Sequence, residues 1–314
     1  MWQLISGVYL GWALGANDAA NVFGTAVASR MLRFRTAAVL CSIFVILGSV
    51  LEGASGMRTY NALSQTTLNT AFIIGLASAL TVTVMTSFHL PVSTSQAVVG
   101  SFMGVGLFNG QLALGVFTKV VACWIGTPIG ALVLTIPLYF ILGAIVNRLH
   151  LTIFDHDRFF RWALILAGSY GAYALGANNV ANVTGAFVGD DMLTVEMACW
   201  MGGVSIALGI VTFSRGVMMT VGRGLVKLDA FSALVVILAE GLTIHLYAMI
   251  GVPVSTSQAV VGGVVGVGLI RGGKTVDKAV LKSIFLAWVS TPVVSFAVTY
   301  LFCVVGAASG WLVA

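Results

Sequence analysis

The sequence predicts an all-α membrane protein, an inverted-topology repeat of two five-segment halves with re-entrant or broken helices. Three observations carry that expectation. The 314 residues are 59% apolar and only 8% charged, whereas a soluble domain carries about a quarter charged residues. Polar motifs of the first half return about half a chain later. Gly15-Ala16-Asn17-Asp18-Ala19-Ala20-Asn21 returns as Gly176-Ala177-Asn178-Asn179-Val180-Ala181-Asn182, and Pro91 to Gly100 returns letter for letter as Pro253 to Gly262. Trp124-Ile125-Gly126-Thr127-Pro128 is echoed by Trp288-Val289-Ser290-Thr291-Pro292. Finally, equivalent connections in the two halves carry different charge.

Each element follows from the need for about 20 apolar residues to cross the hydrocarbon core. Apolar segments fall near 2–29, 36–57, 68–88, 91–108 and 112–147, and again near 162–189, 194–214, 229–250, 252–270 and 278–312. The first repeat is then 1–147, a short cytoplasmic linker 148–161, and the second repeat 162–314. The first segment holds the Asn/Asp motif between Gly15 and Gly24, where an unwound helix is expected. The fourth segment begins at Pro91, a residue suited to the first turn of a helix, where a missing N–H costs nothing. The fifth would be about 50 Å long as one straight helix. It contains Pro128 and Pro137, so a bend or split is expected. The N-terminus shows no basic leader with a small-residue cleavage site, so the first segment counts as part of the bundle.

Five spans per repeat force the halves into opposite orientations, and the charges agree. Arg30, Arg33 and Arg35 follow the first Asn motif, while Asp190 and Asp191 stand at the equivalent place. Asn109-Gly110-Gln111 is neutral and its counterpart Arg271-Gly272-Gly273-Lys274 is basic. Arg215, Arg223 and Lys227 stand against Arg58 alone. Basic loops face the cytoplasm, which places 30–35, 148–161, 215–228 and 271–278 inside and both termini outside. The net charge of +5 is then loop charge, and nucleic acid is not an expected partner. Cys41, Cys123, Cys199 and Cys303 stand singly in apolar runs, with no metal-ligand spacing.

Polar residues repeated inside a membrane point to a transport site at a repeat interface. Ser93, Thr94, Ser95 and Gln96, with Ser255, Thr256, Ser257 and Gln258, follow the two prolines. Hydroxyls and free N–H groups at a helix N-terminus make an anion site, and two such ends can close around one tetrahedral oxyanion. Simple N-capping of two buried helices is the plainer alternative. Asn17, Asp18 and Asn21 interrupt an apolar segment, as do Asn178, Asn179 and Asn182. A carboxylate inside a span is costly, which makes Asp18 a candidate cation ligand with Asn179 as its counterpart. Glu52 and Glu240 are the other acidic residues within spans, each able to bind a cation or carry a proton. His245 reads as a hydrogen-bonded packing residue, and His89 lies just before Pro91.

At these motifs the chain resembles the inorganic phosphate transporter (PiT) family of sodium- or proton-coupled permeases. The likeness rests on residues 15–25 and the two Pro-Val-Ser-Thr-Ser segments, and covers nearly the whole chain. The resemblance implies an inverted repeat with external termini. It also implies anion binding by Ser93, Thr94, Ser95, Ser255, Thr256 and Ser257 with the Asn-rich motifs, and cation binding around Asp18. Departures are plain. The family usually has Thr-His where this chain has Ser95-Gln96 and Ser257-Gln258. Its second Asn-Asp is here Asn178-Asn179. Its span glutamates align with Val45 and a position three residues from Glu240.

The expected function is secondary active transport of inorganic phosphate, with a sodium ion or proton as coupling ion and no cofactor. Expected partners are the anion and the lipid bilayer, in the cell membrane, with a homodimer compatible with the sequence. Sulfate is the alternative substrate. Phosphate carries hydroxyl protons and welcomes acceptors, and this chain has lost acceptors, although Gln keeps a carbonyl oxygen. An anion channel is the rival of another class, since re-entrant half-helices also build pores. An enzyme is not expected, because no His-rich metal motif, paired carboxylates or nucleophile–base pair is present.

Overall fold

A computed structural model of the chain describes residues 1–87, 92–150, 152–188, 192–224, 228–272 and 278–312. The first half forms α1 (Leu4–Ala28), α2 (Phe34–Glu52), α3 (Ala54–Leu63), α4 (Leu68–Ser87), α5 (Thr94–Phe108) and α6 (Leu114–Arg148). The second forms α7 (Ile153–Thr184), a 3₁₀ turn (Gly185–Phe187), α8 (Val195–Gly224), α9 (Ala230–Met249), α10 (Thr256–Ile270) and α11 (Lys278–Ala308). Helices α2, α4, α6, α8, α9 and α11 are long and apolar enough to cross a membrane. The polar motif residues lower the hydropathy of α1 and α7. Yet these two helices have 25 and 32 residues, enough length to cross as well.

Several expectations are corrected. The segment near 36–57 ends as a span at Glu52, and a separate short helix, α3, follows. Gly53 marks the junction: a Cβ there would meet Val180 Cγ1 at 2.2 Å. α6 is one unbroken helix through Pro128 and Pro137 rather than a split pair. The basic stretch 148–161 is helical from Ile153, and α8 continues past Arg215 and Arg223 to Gly224. The comparison of Arg33 with Asp190 and Asp191 falls partly outside the described residues, as do His89, Pro91 and Lys227.

α5 and α10 do match short half-helices. Each has 15 residues, about 22 Å at the helical rise, short of a hydrocarbon core of about 30 Å. Both run on into left-handed glycines, Gly110 at φ +69° and Gly272 at φ +94°, a conformation that stops a helix at little cost when no Cβ is present. At the end of α10, Arg271 forms an ion pair with Asp229, the N-cap of α9. Burial opposes ionisation of Asp229, but Arg271 and the hydrogen bonds of Ser232 outweigh it and hold the carboxyl below its usual range. This tie therefore contributes at neutral pH and is lost as pH falls through that lowered value.

The halves meet through matching close approaches. A Cβ on Gly15 would lie 2.0 Å from Ile206 O, and one on the equivalent Gly176 would lie 2.0 Å from Val45 O. Gly48 meets Tyr173 O and Gly209 meets Trp12 O, at 1.9 and 2.0 Å. Gly100 faces Pro292 O at 2.3 Å and Gly262 faces Pro128 O at 2.2 Å. These six close approaches form three matched pairs, each contact from one half answered by one running back. α1, α2, α7 and α8 pack together centrally. α5 packs chiefly on α11 of the other half, and α10 on α6 of the other half. The two repeats are interleaved rather than laid side by side.

Candidate functional site

The hydroxyl motifs stand where α5 and α10 begin. Ser93 and Ser255 are N-caps in extended backbone, and each side chain accepts from the N–H three residues on, Gln96 N and Gln258 N, at 3.3 Å. The capping role is therefore real for these two serines. A capping oxygen still keeps its own O–H to donate. By position, the N–H groups of Thr94, Ser95, Thr256 and Ser257 are ones that no helical carbonyl accepts. Ser93 through Gln96 and Ser255 through Gln258 are all buried.

The Asn motifs sit on α1 and α7, which run through them without a break. This corrects the expected unwinding: no backbone carbonyls are freed there, and the side chains must do the work. They do it across the repeat boundary. Asn21 donates to Thr256 Oγ1 at 3.2 Å and to Ser257 Oγ at 3.5 Å. Asn182, its equivalent, donates to Ser95 Oγ at 3.0 Å. Ser95 donates to Val254 O at 2.8 Å, and Ser257 returns the bond to Val92 O at 3.0 Å. Asn178 holds the Val254 peptide by both its carbonyl and its N–H. Each Asn motif thus grips the hydroxyl motif of the other half, and the two helix N-termini are tied to each other.

Asp18 is buried within this network. It accepts from Thr256 Oγ1 at 2.9 Å and from Asn17 Nδ2 at 3.1 Å. At the equivalent place Asn179 accepts from Asn182 at 2.6 Å, and its own Nδ2 has no partner. Glu240 is fully buried, neither of its oxygens has a partner, and its helix α9 touches α1, which carries Asp18. Thr94 Oγ1, Gln96 Oε1 and Gln258 Oε1 are likewise buried without partners. A buried polar atom left unpaired is costly, so a cluster of them on these turns marks a place built for a ligand or water. Glu52 is placed elsewhere. It ends α2 and pairs with His245 Nε2 at 2.6 Å.

One residue escaped sequence reasoning. Tyr60 of α3 is fully buried, stacks on Phe102 at 5.0 Å between ring centroids, and donates to Asn182 Oδ1. That bond orients the amide so that its NH₂ faces Ser95 and Asn179. α3 has no counterpart among the described residues of the second half, so the repeat could not have revealed it.

The arrangement offers convergent N–H and O–H donors from two helix ends, with carboxyls beside them. Known proteins resemble the chain in fold and sequence. A solved structure, the sodium-dependent phosphate transporter, superposes with a TM-score of 0.85 at 23% identity, covering 97% of this chain and 99% of the other. A candidate phosphate permease of Methanocaldococcus jannaschii is 33% identical over 95% of both chains. The sulfate permease CysP of Bacillus subtilis is 28% identical over 95% of this chain and 85% of its own length. Residues 14–299 match the phosphate transporter family, and the chain belongs to that family of membrane transporters.

Proposed function

We propose that the chain is a secondary active transporter that moves inorganic phosphate across the cell membrane, coupled to sodium or protons. The observation that carries this reading is the reciprocal grip of Asn21 on Thr256 and of Asn182 on Ser95. It holds two helix N-termini together so that their N–H groups and hydroxyls can share one oxyanion. Asp18, Asn179 and Glu240 are the group that would bind the coupling cation, whose charge also offsets that of the anion. A buried carboxyl whose oxygens have no partner is costly, and a bound cation would offset that cost.

The matched contacts between halves support a pseudo-symmetric repeat, and the basic connections support placing both termini outside. Substituted cysteines check that topology. An impermeant reagent added outside should label a probe at position 190, which lies beyond the described residues, and spare one at position 33. Equal labelling of both from one side would overturn it.

Sulfate is kept as a second reading, on a specific observation. The sulfate permease CysP is 28% identical over 95% of this chain, and an anion carrying no proton needs only donors such as the N–H and O–H groups at the two helix ends. The test is uptake into sealed proteoliposomes of labelled phosphate and sulfate in competition, with and without a sodium gradient. Accumulation against the anion's own gradient is expected. Simple dissipation would show a channel instead.

Ser93→Ala and Ser255→Ala should each weaken the same anion about ten- to hundredfold in this assay. A lost hydrogen bond to a charged group costs about 1.5–3 kcal/mol. Each also loses a cap worth about 1 kcal/mol, which thermal melting without anion measures separately. If melting shifts while apparent affinity does not, the serines only cap.

A further inference from the structure

A second cluster of titratable groups lies apart from the anion cradle. Glu52 is the last residue of α2, and His245 lies one turn before the end of α9. Their side chains meet with His245 Nε2 2.6 Å from Glu52 Oε2, and they remain 20% and 40% exposed, so water can reach both. α7 supplies the rest. Tyr170 Oη lies 2.9 Å from His245 Nδ1, and the Tyr173 ring packs edge-on against the imidazole at 5.7 Å between centroids. The one charged residue of α3, Arg58, makes no ion pair among the described residues. His245 is thus enclosed by a carboxylate on one nitrogen and a phenol on the other.

We infer that Glu52 and His245 form the proton-binding site through which a proton gradient drives this transporter. The inference rests on the transport reading above and assigns its coupling proton a place. The geometry allows the proton to come and go without breaking a bond. With a neutral ring, Nε2–H donates to Glu52 while the Tyr170 hydroxyl donates to Nδ1. When a proton binds at Nδ1, that N–H donates to Tyr170 Oη, and the hydroxyl proton turns away. Tyrosine can donate or accept, so both states are satisfied. The bound proton cancels the net negative charge of the pair, and no other group is consumed.

The route from this site to the cradle runs through α3. Glu52 leads directly through Gly53 into α3. There Ser55 Oγ donates to Ala248 O at 2.6 Å, and Thr59 Oγ1 donates to Gly251 O. Those carbonyls belong to the end of α9 and the turn that leads to Val254 and α10. The next residue, Tyr60, holds Asn182. A change in attraction between Glu52 and His245 therefore acts on the helix that positions both motif types.

The test separates coupling from transport in proteoliposomes. Wild-type protein should exchange phosphate for phosphate without any gradient. It should also accumulate phosphate when an inward proton gradient is imposed in the absence of sodium. In His245→Gln and Glu52→Gln, exchange should stay within about threefold of wild type while proton-driven accumulation falls at least tenfold. Tyr170→Phe, which keeps the ring but cannot accept from a protonated Nδ1, should fall between. Proton-driven accumulation at the wild-type level in both Gln variants would overturn the assignment. So would wild-type accumulation that sodium drives but an imposed proton gradient does not. Loss of exchange in all three variants would show the cluster to be structural, with the same result. If the wild type neither exchanges nor accumulates phosphate or sulfate, the transport reading itself has failed.

Discussion

Asp18→Asn is expected to abolish cation-coupled accumulation while leaving a folded protein. Asparagine keeps the size of the side chain, and its carbonyl can still accept from Thr256, whose Oγ1 now reaches Asp18 Oδ2 at 2.9 Å. What disappears is the charge. Without the carboxylate nothing at this position offsets a cation's charge, and apparent cation affinity should fall at least about a hundredfold, about 2.7 kcal/mol, too weak to drive accumulation. The measurement is phosphate uptake against sodium concentration in proteoliposomes. Asn179→Asp is the reverse experiment. It restores a carboxylate at the equivalent position, where Asn179 Nδ2 has no partner, and should be tolerated or change the sodium dependence. Wild-type coupling in Asp18→Asn vesicles would show that this carboxylate is structural.

The second large effect concerns stability. Gly15→Ala and Gly176→Ala should each destabilise the protein by more than about 2 kcal/mol, since a well-packed core resists even one added carbon. A Cβ at either position would lie 2.0 Å from a backbone carbonyl oxygen of the opposite half. A carbon–oxygen contact needs about 3.3 Å or more, so α1 must draw back from α8, or α7 from α2, by more than an ångström. A backbone oxygen cannot rotate out of the way as a side chain can. Melting in detergent should show similar losses for the two variants, because the contacts are matched. Gly115→Ala, where nothing lies within 4 Å, should change little. Wild-type melting of Gly15→Ala would show that the helices are not held this closely.

Much of this was legible in the sequence, for physical reasons. Pro253 and the serines after it announce a helix start, and the left-handed Gly110 and Gly272 mark the stops. The doubled motifs announced the site, because buried hydroxyls and amides must find partners. Which partners they find could not be read. That Ser95 bonds to Val254 O rather than to its own half depends on how the halves interleave, and no local pattern encodes it. The unbroken course of α1 ran against expectation for a related reason. Asn17, Asp18 and Asn21 find donors and acceptors on neighbouring side chains and on α10, so the helix keeps its own hydrogen bonds. The partner of Glu52 could not be read either, because it is the end of α2 that delivers it to His245 on α9. Tyr60 was hidden because it falls in the connection between the segments read near 36–57 and 68–88, where α3 runs on past the expected end of the span.

Interleaving also constrains how the chain can be made. Synthesis runs from the N-terminus, so α5 emerges long before α11, the helix on which it chiefly packs. Until then the Gly100 face has no Pro292 to meet, and a short half-helix with a polar tip must wait in the bilayer. α6 waits likewise for α9 and α10. A nascent chain halted between the repeats is therefore half a molecule with its best surfaces unmatched, not a finished unit. Contacts this distant in sequence are slow to form. They leave the first half exposed to the quality-control proteases of the membrane until the last helix arrives.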